Sequence, residues 1–310
     1  MQSRRSFIRQ VTIGGLLMSC GELPFRSLAA KAGAIQHLGI LHTNDTHSRL
    51  QPFEEALAGI PKGSGGIAAR AALIEQVRQE TAQVVLLDAG DFLQGSPYFD
   101  LYQGAAEISA MNLMGYDAIT LGEHDLYGGM ESLAGQLAAA RFTVVCSNYR
   151  FSGTALEQLV HPYTILYKGG MKIGVMAIGS TLAGVVPEAV ARAIPVDDPL
   201  VTAQAMTEKL RRKEHCDMVI CLSRLGLPDY NNGRPDDRIL ARETTGIDLI
   251  IGGRSHTFLE QPLRLRNKKG QEVVVSHAGW GGVQIGHLNY IFSDRKKILS
   301  ANAQTVILGK

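Results

Sequence analysis

Five short clusters of acidic, imidazole and guanidinium side chains recur along the chain, each directly after a run of apolar residues. They are Asn44-Asp45-Thr46-His47, Asp88-Ala89-Gly90-Asp91, Gly122-Glu123-His124-Asp125, Ser223-Arg224-Leu225-Gly226 and Gly252-Gly253-Arg254-Ser255-His256. Carboxylates and imidazoles are the oxygen and nitrogen donors of divalent-metal sites. Arginine is the opposite case. It has no lone pair for a metal and stays protonated, but its planar fork suits carboxylates and phosphates. Each cluster alone is weak, because a His at a strand end is usually hydrogen-bonded structure. Five in this order point to one site.

The elements that would position them follow from the apolar runs. Strands are expected at Leu38–Leu41, Val84–Leu87, Ala118–Leu121, Thr143–Cys146, Ile173–Ile178, Met218–Leu222, Leu249–Ile251 and Val273–Val275. Continuous apolar runs bounded by polar turns suit buried strands in a covered sheet. Helical spacing joins Ile67, Ala71, Ile74 and Val77, and again Ala105, Ile108, Met111 and Met114 before Gly115. Asp198-Pro199 opens a third helix running to Leu210, with Pro at its first position. Helices between strands predict an α/β fold with covered sheets, whose strand carboxyl ends line the ligand crevice. Composition agrees: 310 residues, 45% hydrophobic and 19% charged, exclude disorder. A net charge of +2 excludes the basic footprint of a dedicated nucleic-acid binder. The four cysteines (Cys20, Cys146, Cys216 and Cys221) form no CxxC pair, so neither a zinc knuckle nor a disulfide scaffold is expected.

Taken together the clusters resemble the calcineurin-like metallophosphoesterases, specifically the metallophosphatase domain of 5'-nucleotidases. His42-Thr43-Asn44-Asp45-Thr46-His47-Ser48, Gly90-Asp91-Phe92-Leu93-Gln94-Gly95-Ser96, and Gly115-Tyr116-Asp117-Ala118 followed by Leu121-Gly122 and His124 carry the likeness. It extends from about Leu38 to Phe292. The resemblance implies a four-layer α-β-β-α sandwich. It also implies two metal ions bridged by one Asp, which activate the water that attacks phosphorus. Carried over by motif, Asp45, His47, Asp91 and His256 would hold the first ion, which donor chemistry makes Zn, Mn or Fe. His124 paired with Asp125 would be the catalytic pair.

The second ion is where the chain departs. Glu123 stands in place of the family's Asn, and Arg224 and Arg254 stand in place of two His. The three changes are coupled in charge, since two guanidiniums can supply much of the lost positive charge while Glu123 and Asp91 hold them. The expectation is a degenerate second site filled by a salt-bridge cluster, leaving at most one metal. Two readings stay open. One is a hydrolase with a single ion, in which Arg224 and Arg254 clamp the phosphate of a phosphorylated small molecule such as a nucleotide. The other is a non-catalytic relative that binds a phosphorylated ligand or partners a separate nucleobase-binding chain. Trp280 and Tyr290 read as packing residues rather than a base platform.

Residues 1–30 read as an address. Ser3-Arg4-Arg5-Ser6-Phe7 ahead of an apolar run from Val11 to Met18 resembles a twin-arginine export signal, and the run is too short to span a bilayer. Ser27-Leu28-Ala29-Ala30 offers a cleavage site. Leu17-Met18-Ser19-Cys20 alternatively resembles a lipobox, which would tether the protein to a membrane through Cys20. Either outcome places the protein in the periplasm or cell envelope. Residues 31–310 are then expected to form one metallophosphoesterase domain, without the family's C-terminal nucleotide-binding domain.

Overall fold

The computed structural model describes residues 35–57, 59–227 and 234–309. The expected export signal and Cys20 lie outside these residues. Two sheets carry the fold. The first has seven strands: β1 (Gln36–Thr43), β2 (Val84–Asp88), β3 (Ala118–Ile119), β4 (Thr143–Val145), β5 (Val160–His161), β12 (Gln284–Phe292) and β13 (Ile298–Ile307). Their spatial order is β13-β12-β1-β2-β3-β4-β5, with β1 to β5 parallel and β12 and β13 antiparallel to their neighbours. The second has six: β6 (Tyr163–Lys168), β7 (Met171–Ile178), β8 (Met218–Ser223), β9 (Leu249–Gly252), β10 (Leu263–Arg266) and β11 (Glu272–Ser276), in the order β10-β11-β9-β8-β7-β6.

Alternation along the strands builds three apolar layers. Ile40, Val85 and Leu87 face inward and meet Val175, Ile220 and Ile251 of the other sheet. Their neighbours Leu41 and Leu86 face outward, against helices α1 (Ile67–Glu80), α3 (Ala105–Met114) and α4 (Met130–Leu137). On the far side Met176, Val219, Cys221 and Ile250 pack on α6 (Pro199–Glu208) and α7 (Asp237–Glu243). Successive strand residues point to opposite faces, so both sheets are covered on both sides and the order of layers is α-β-β-α. The short helices α2 (Pro97–Tyr102) and α5 (Glu188–Ala193) complete the set among the described residues.

All eight anticipated strands are present. The five that were not anticipated (β5, β6, β10, β12 and β13) lie at or next to a sheet edge. Three of them show why: β6, β10 and β13 mix exposed or half-buried positions into the strand and leave no continuous apolar run. Tyr290 lies in the inter-sheet layer, 1% exposed, as a packing residue.

A buried guanidinium among three carboxylates

The five clusters converge because β1, β2 and β3 are neighbours in one sheet, β8 and β9 are neighbours in the other, and all end on the same side. The turns there are tight. Asp45, His47, Asp91, Arg254 and His256 all adopt left-handed backbone conformations, with φ of 48°, 46°, 55°, 72° and 52°. Such conformations cost about 1–3 kcal/mol each and persist only where the surroundings over-determine them. Here the loops hold one another: Asp45 N–H donates to Gly90 O at 2.9 Å, His47 N–H to Asp91 O at 3.0 Å, and Ser48 N–H to Phe92 O at 2.9 Å.

Arg224 sits at the centre, fully buried. Its Nη1 donates to Asp45 Oδ1 at 2.9 Å and to the Ala89 carbonyl at 3.1 Å. Nη2 donates to Asp91 Oδ2 and, at 3.1 Å, to Glu123 Oε2, while Nε reaches the same Glu123 oxygen at 3.3 Å. Glycine makes the room: a Cβ on Gly253 would lie 2.5 Å from Arg224 Nη1, and one on Gly122 would lie 2.1 Å from Asp91 Oδ1. Arg254 Nε lies 3.2 Å from the other Glu123 oxygen, which also accepts from Ser180 Oγ. Both arginines therefore meet Glu123. Burial works against the Arg224 charge, but Asp45, Asp91 and Glu123 outweigh it and raise its pKa well above the usual value. Burial alone would raise the Asp91 carboxyl, yet Arg224 and His124 hold it well below the ordinary range.

Every donor of Arg224 is spent inside the protein, and none faces solvent. This corrects the expectation that Arg224 clamps a phosphate, since a side chain with no accessible surface cannot touch one. A second correction concerns His124 and Asp125. The His124 ring turns to Asp91, with Nδ1 3.0 Å from Oδ2, and stacks on Tyr127 at 5.3 Å. Asp125 points elsewhere and accepts the backbone N–H groups of Asp91, Leu93 and Gly122 at 2.8–2.9 Å. The reason is local. His124–Leu126 is a 3₁₀ turn, whose adjacent side chains diverge by about a third of a turn. The hydrogen bond to Asp91 raises the pKa of His124, while burial beside Asp91 raises that of Asp125 well above the carboxylate range.

Among the described residues, donor atoms that could hold a divalent ion fall into two overlapping groups, Asp45-His47-His256 and His47-Asp91-His124, each within 4.8 Å. His47 Nε2 and His256 Nε2 are 3.1 Å apart. Two imidazole nitrogens on one tetrahedral zinc lie about 3.3 Å apart, so this pair suits a shared ion. Burial lowers the His47 pKa to about 4, keeping its ring in the neutral form that ligates. Asp45 is fixed by Asn44 Nδ2 at 2.7 Å and by Arg254 N–H at 2.9 Å. Trp280, a packing residue as expected, lies over His256 at 5.7 Å and meets Phe53 edge-on.

Sequence reasoning assigned no role to Ser48, Ser96 and Glu107, which form a hydrogen-bonded network behind His47. The signal was present: Glu107 occupies the apolar face of its helix, in register with Met111 and Met114.

Residues 38–258 match the family described as calcineurin-like phosphoesterase. Among curated relatives, a snake venom 5'-nucleotidase of Gloydius brevicauda is 29% identical over 315 residues, covering 95% of this chain and 52% of the relative. A 5'-nucleotidase of Homo sapiens is 29% identical, covering 89% and 50%. The 5'-nucleotidase precursor of Thermus thermophilus superposes with a TM-score of 0.79 at 30% identity, over 88% of this chain and 55% of that one. The NAD nucleotidase of Haemophilus influenzae gives 0.77 at 27%, over 89% and 57%. The chain spans about half the length of these relatives.

Proposed function

Because the chain belongs to the calcineurin-like phosphoesterase family, we propose that it is a 5'-nucleotidase-like metallophosphoesterase which works with a single divalent ion. The observation that carries the single-ion reading is Arg224, buried against Asp45, Asp91 and Glu123. Arginine has no lone pair to ligate with, and its charge stands where carboxylates would otherwise require a cation. Asp45, His47 and His256 would hold the ion, with Asp91 beside His47. Bound there, a divalent ion supplies phosphate charge neutralisation and acidifies water.

The chain's own residues supply the rest. His124 is held at Nδ1 by Asp91, which leaves Nε2 as the atom able to pass a proton to a departing alkoxide. Its raised pKa favours that role. Arg254, anchored on Glu123, brings a guanidinium to the rim, 16% exposed, where a phosphate can be met. Arg224 acts by holding Asp45 and Asp91 in place rather than by touching substrate.

One observation favours the second reading, a non-catalytic relative that binds a phosphorylated ligand or partners a nucleobase-binding chain. The Asp45 oxygens already accept from Arg224, Asn44 and Arg254, which weakens them as ligands. The names of the relatives support a nucleotide as substrate. The twin-arginine-like residues 1–30 support export to the periplasm or envelope. Metal per chain and phosphate release from a 5'-nucleotide and an aryl phosphate, measured with Mn, Zn, Co or Mg, separate the readings. One ion and turnover abolished by Asp45→Ala support the hydrolase. No turnover with any metal refutes it.

A further inference from the structure

Glu107 lies in the first turn of α3, 3% exposed, on the same helix face as Met111 and Met114. A carboxyl on an apolar stripe needs partners, and Glu107 finds them in the loops that carry the candidate ligands. Ser48 Oγ donates its proton to Glu107 Oε1. Ser48 Oγ also lies 2.6 Å from Ser96 Oγ. A hydroxyl has one proton to give, so Ser96 must be the donor in that second bond. Ser96 Oγ in turn accepts the Tyr98 N–H at 3.2 Å as the N-cap of α2. The result is a one-way chain of donors, from Tyr98 through Ser96 and Ser48, that ends on Glu107.

This chain ties the loop of His47 to the loop of Asp91. Ser48 is left-handed at φ 54°, immediately after left-handed His47. Gly95, next to Ser96, lies so close to His47 that an added Cβ would be 3.0 Å from the His47 carbonyl oxygen. Glu107 also lines a chamber of about 10 Å³ together with Ser48, Arg49 and Arg70. Glu107 Oε2, Arg49 Nε and Arg70 Nε have no hydrogen-bond partner among the described residues. An amide in place of the carboxyl would trade an acceptor for a further donor beside those two guanidiniums.

We propose that Glu107 is the positioning residue of this site: through Ser48 and Ser96 it holds His47 in the left-handed conformation that aims its ring at His256. The metal readout of this inference rests on the single-ion reading; the exchange readout does not. The test compares Glu107→Gln, Ser48→Ala and the double variant in the full chain. Cobalt(II) is titrated and followed by visible absorption, and amide hydrogen exchange is measured on metal-free protein.

Glu107→Gln is expected to weaken cobalt binding about 10- to 100-fold, the usual effect of losing a group that orients a ligand. Exchange should quicken at residues 44–49 and 91–96, while β7 and β8 keep wild-type protection. Ser48→Ala should act likewise, and the double variant should be no worse than the more severe single, since both break one chain. Unchanged protection at residues 44–49 in both single variants overturns the inference. So does a uniform loss of protection across the protein with cobalt affinity retained, which marks a merely structural carboxyl. If the wild type binds no cobalt, the single-ion reading fails and the exchange pattern alone decides this one.

Discussion

Replacing Arg224 with Met removes the guanidinium while keeping an unbranched side chain in its channel. The buried Asp45, Asp91 and Glu123 then keep Arg254, Asn44, Ser180, His124 and, at 3.7 Å from Asp45, His256 as partners among the described residues. Removing one member of a buried ion network costs about 3–5 kcal/mol, because charge is left uncompensated in a place water cannot reach. For a chain of this size that corresponds to a fall in Tm on the order of 10 °C. The same substitution removes one cationic donor from an oxygen of Asp45 and from one of Asp91, so the variant should gain affinity for divalent ions. Metal at a thousand times its Kd would return about 4 kcal/mol, nearly the whole loss. Thermal unfolding of wild type and Arg224→Met, with chelator and then with excess Mn or Zn, is the assay. The wild type should rise by what its single ion supplies, and the variant should rise further, closing most of its deficit. A variant as stable as the wild type in chelator, or one that metal fails to rescue, would refute the argument that Arg224 stands in for a cation.

Two further substitutions test the strand ends around it. Burial raises the Asp88 carboxyl to about 7, so the folded state keeps a proton that the unfolded chain loses above its ordinary value near 3.8. At this group the folded protein thus binds more protons between pH 4 and 7, and the Asp88 contribution to stability falls as pH rises through that window by about 1 kcal/mol per unit. Asp88→Asn has no such proton to lose, so its stability relative to wild type should climb from pH 4 to 7 and level off above; a pH-independent difference would contradict this. Asp125→Asn keeps one acceptor oxygen for three backbone N–H donors, those of Asp91, Leu93 and Gly122. It should cost about 1–3 kcal/mol in chemical denaturation while leaving the pH dependence carried by His124 unchanged. A shifted His124 titration would restore Asp125 as its partner.

The sequence by itself determined which residues gather and in what kind of fold. Apolar runs such as Val84–Leu87 and Met218–Leu222 suit strands buried on both faces, and a polar cluster at the end of each meets its neighbours where parallel strands finish. The presence of Arg224 and Arg254 where lone-pair donors belong was likewise legible, because guanidinium chemistry does not depend on context. Tertiary structure alone decided what each side chain does there. Whether Arg224 would face a substrate or a carboxylate depends on accessible surface, and the packing of Gly253 and Gly90 against it leaves none. Whether His124 would pair with Asp125 or Asp91 depends on the direction of one 3₁₀ turn, which adjacency in the chain does not reveal. Glu107 shows both sides. A carboxyl on an apolar face announces a buried polar partner, but only the fold brings Ser48 and Ser96, 59 and 11 positions away, to meet it.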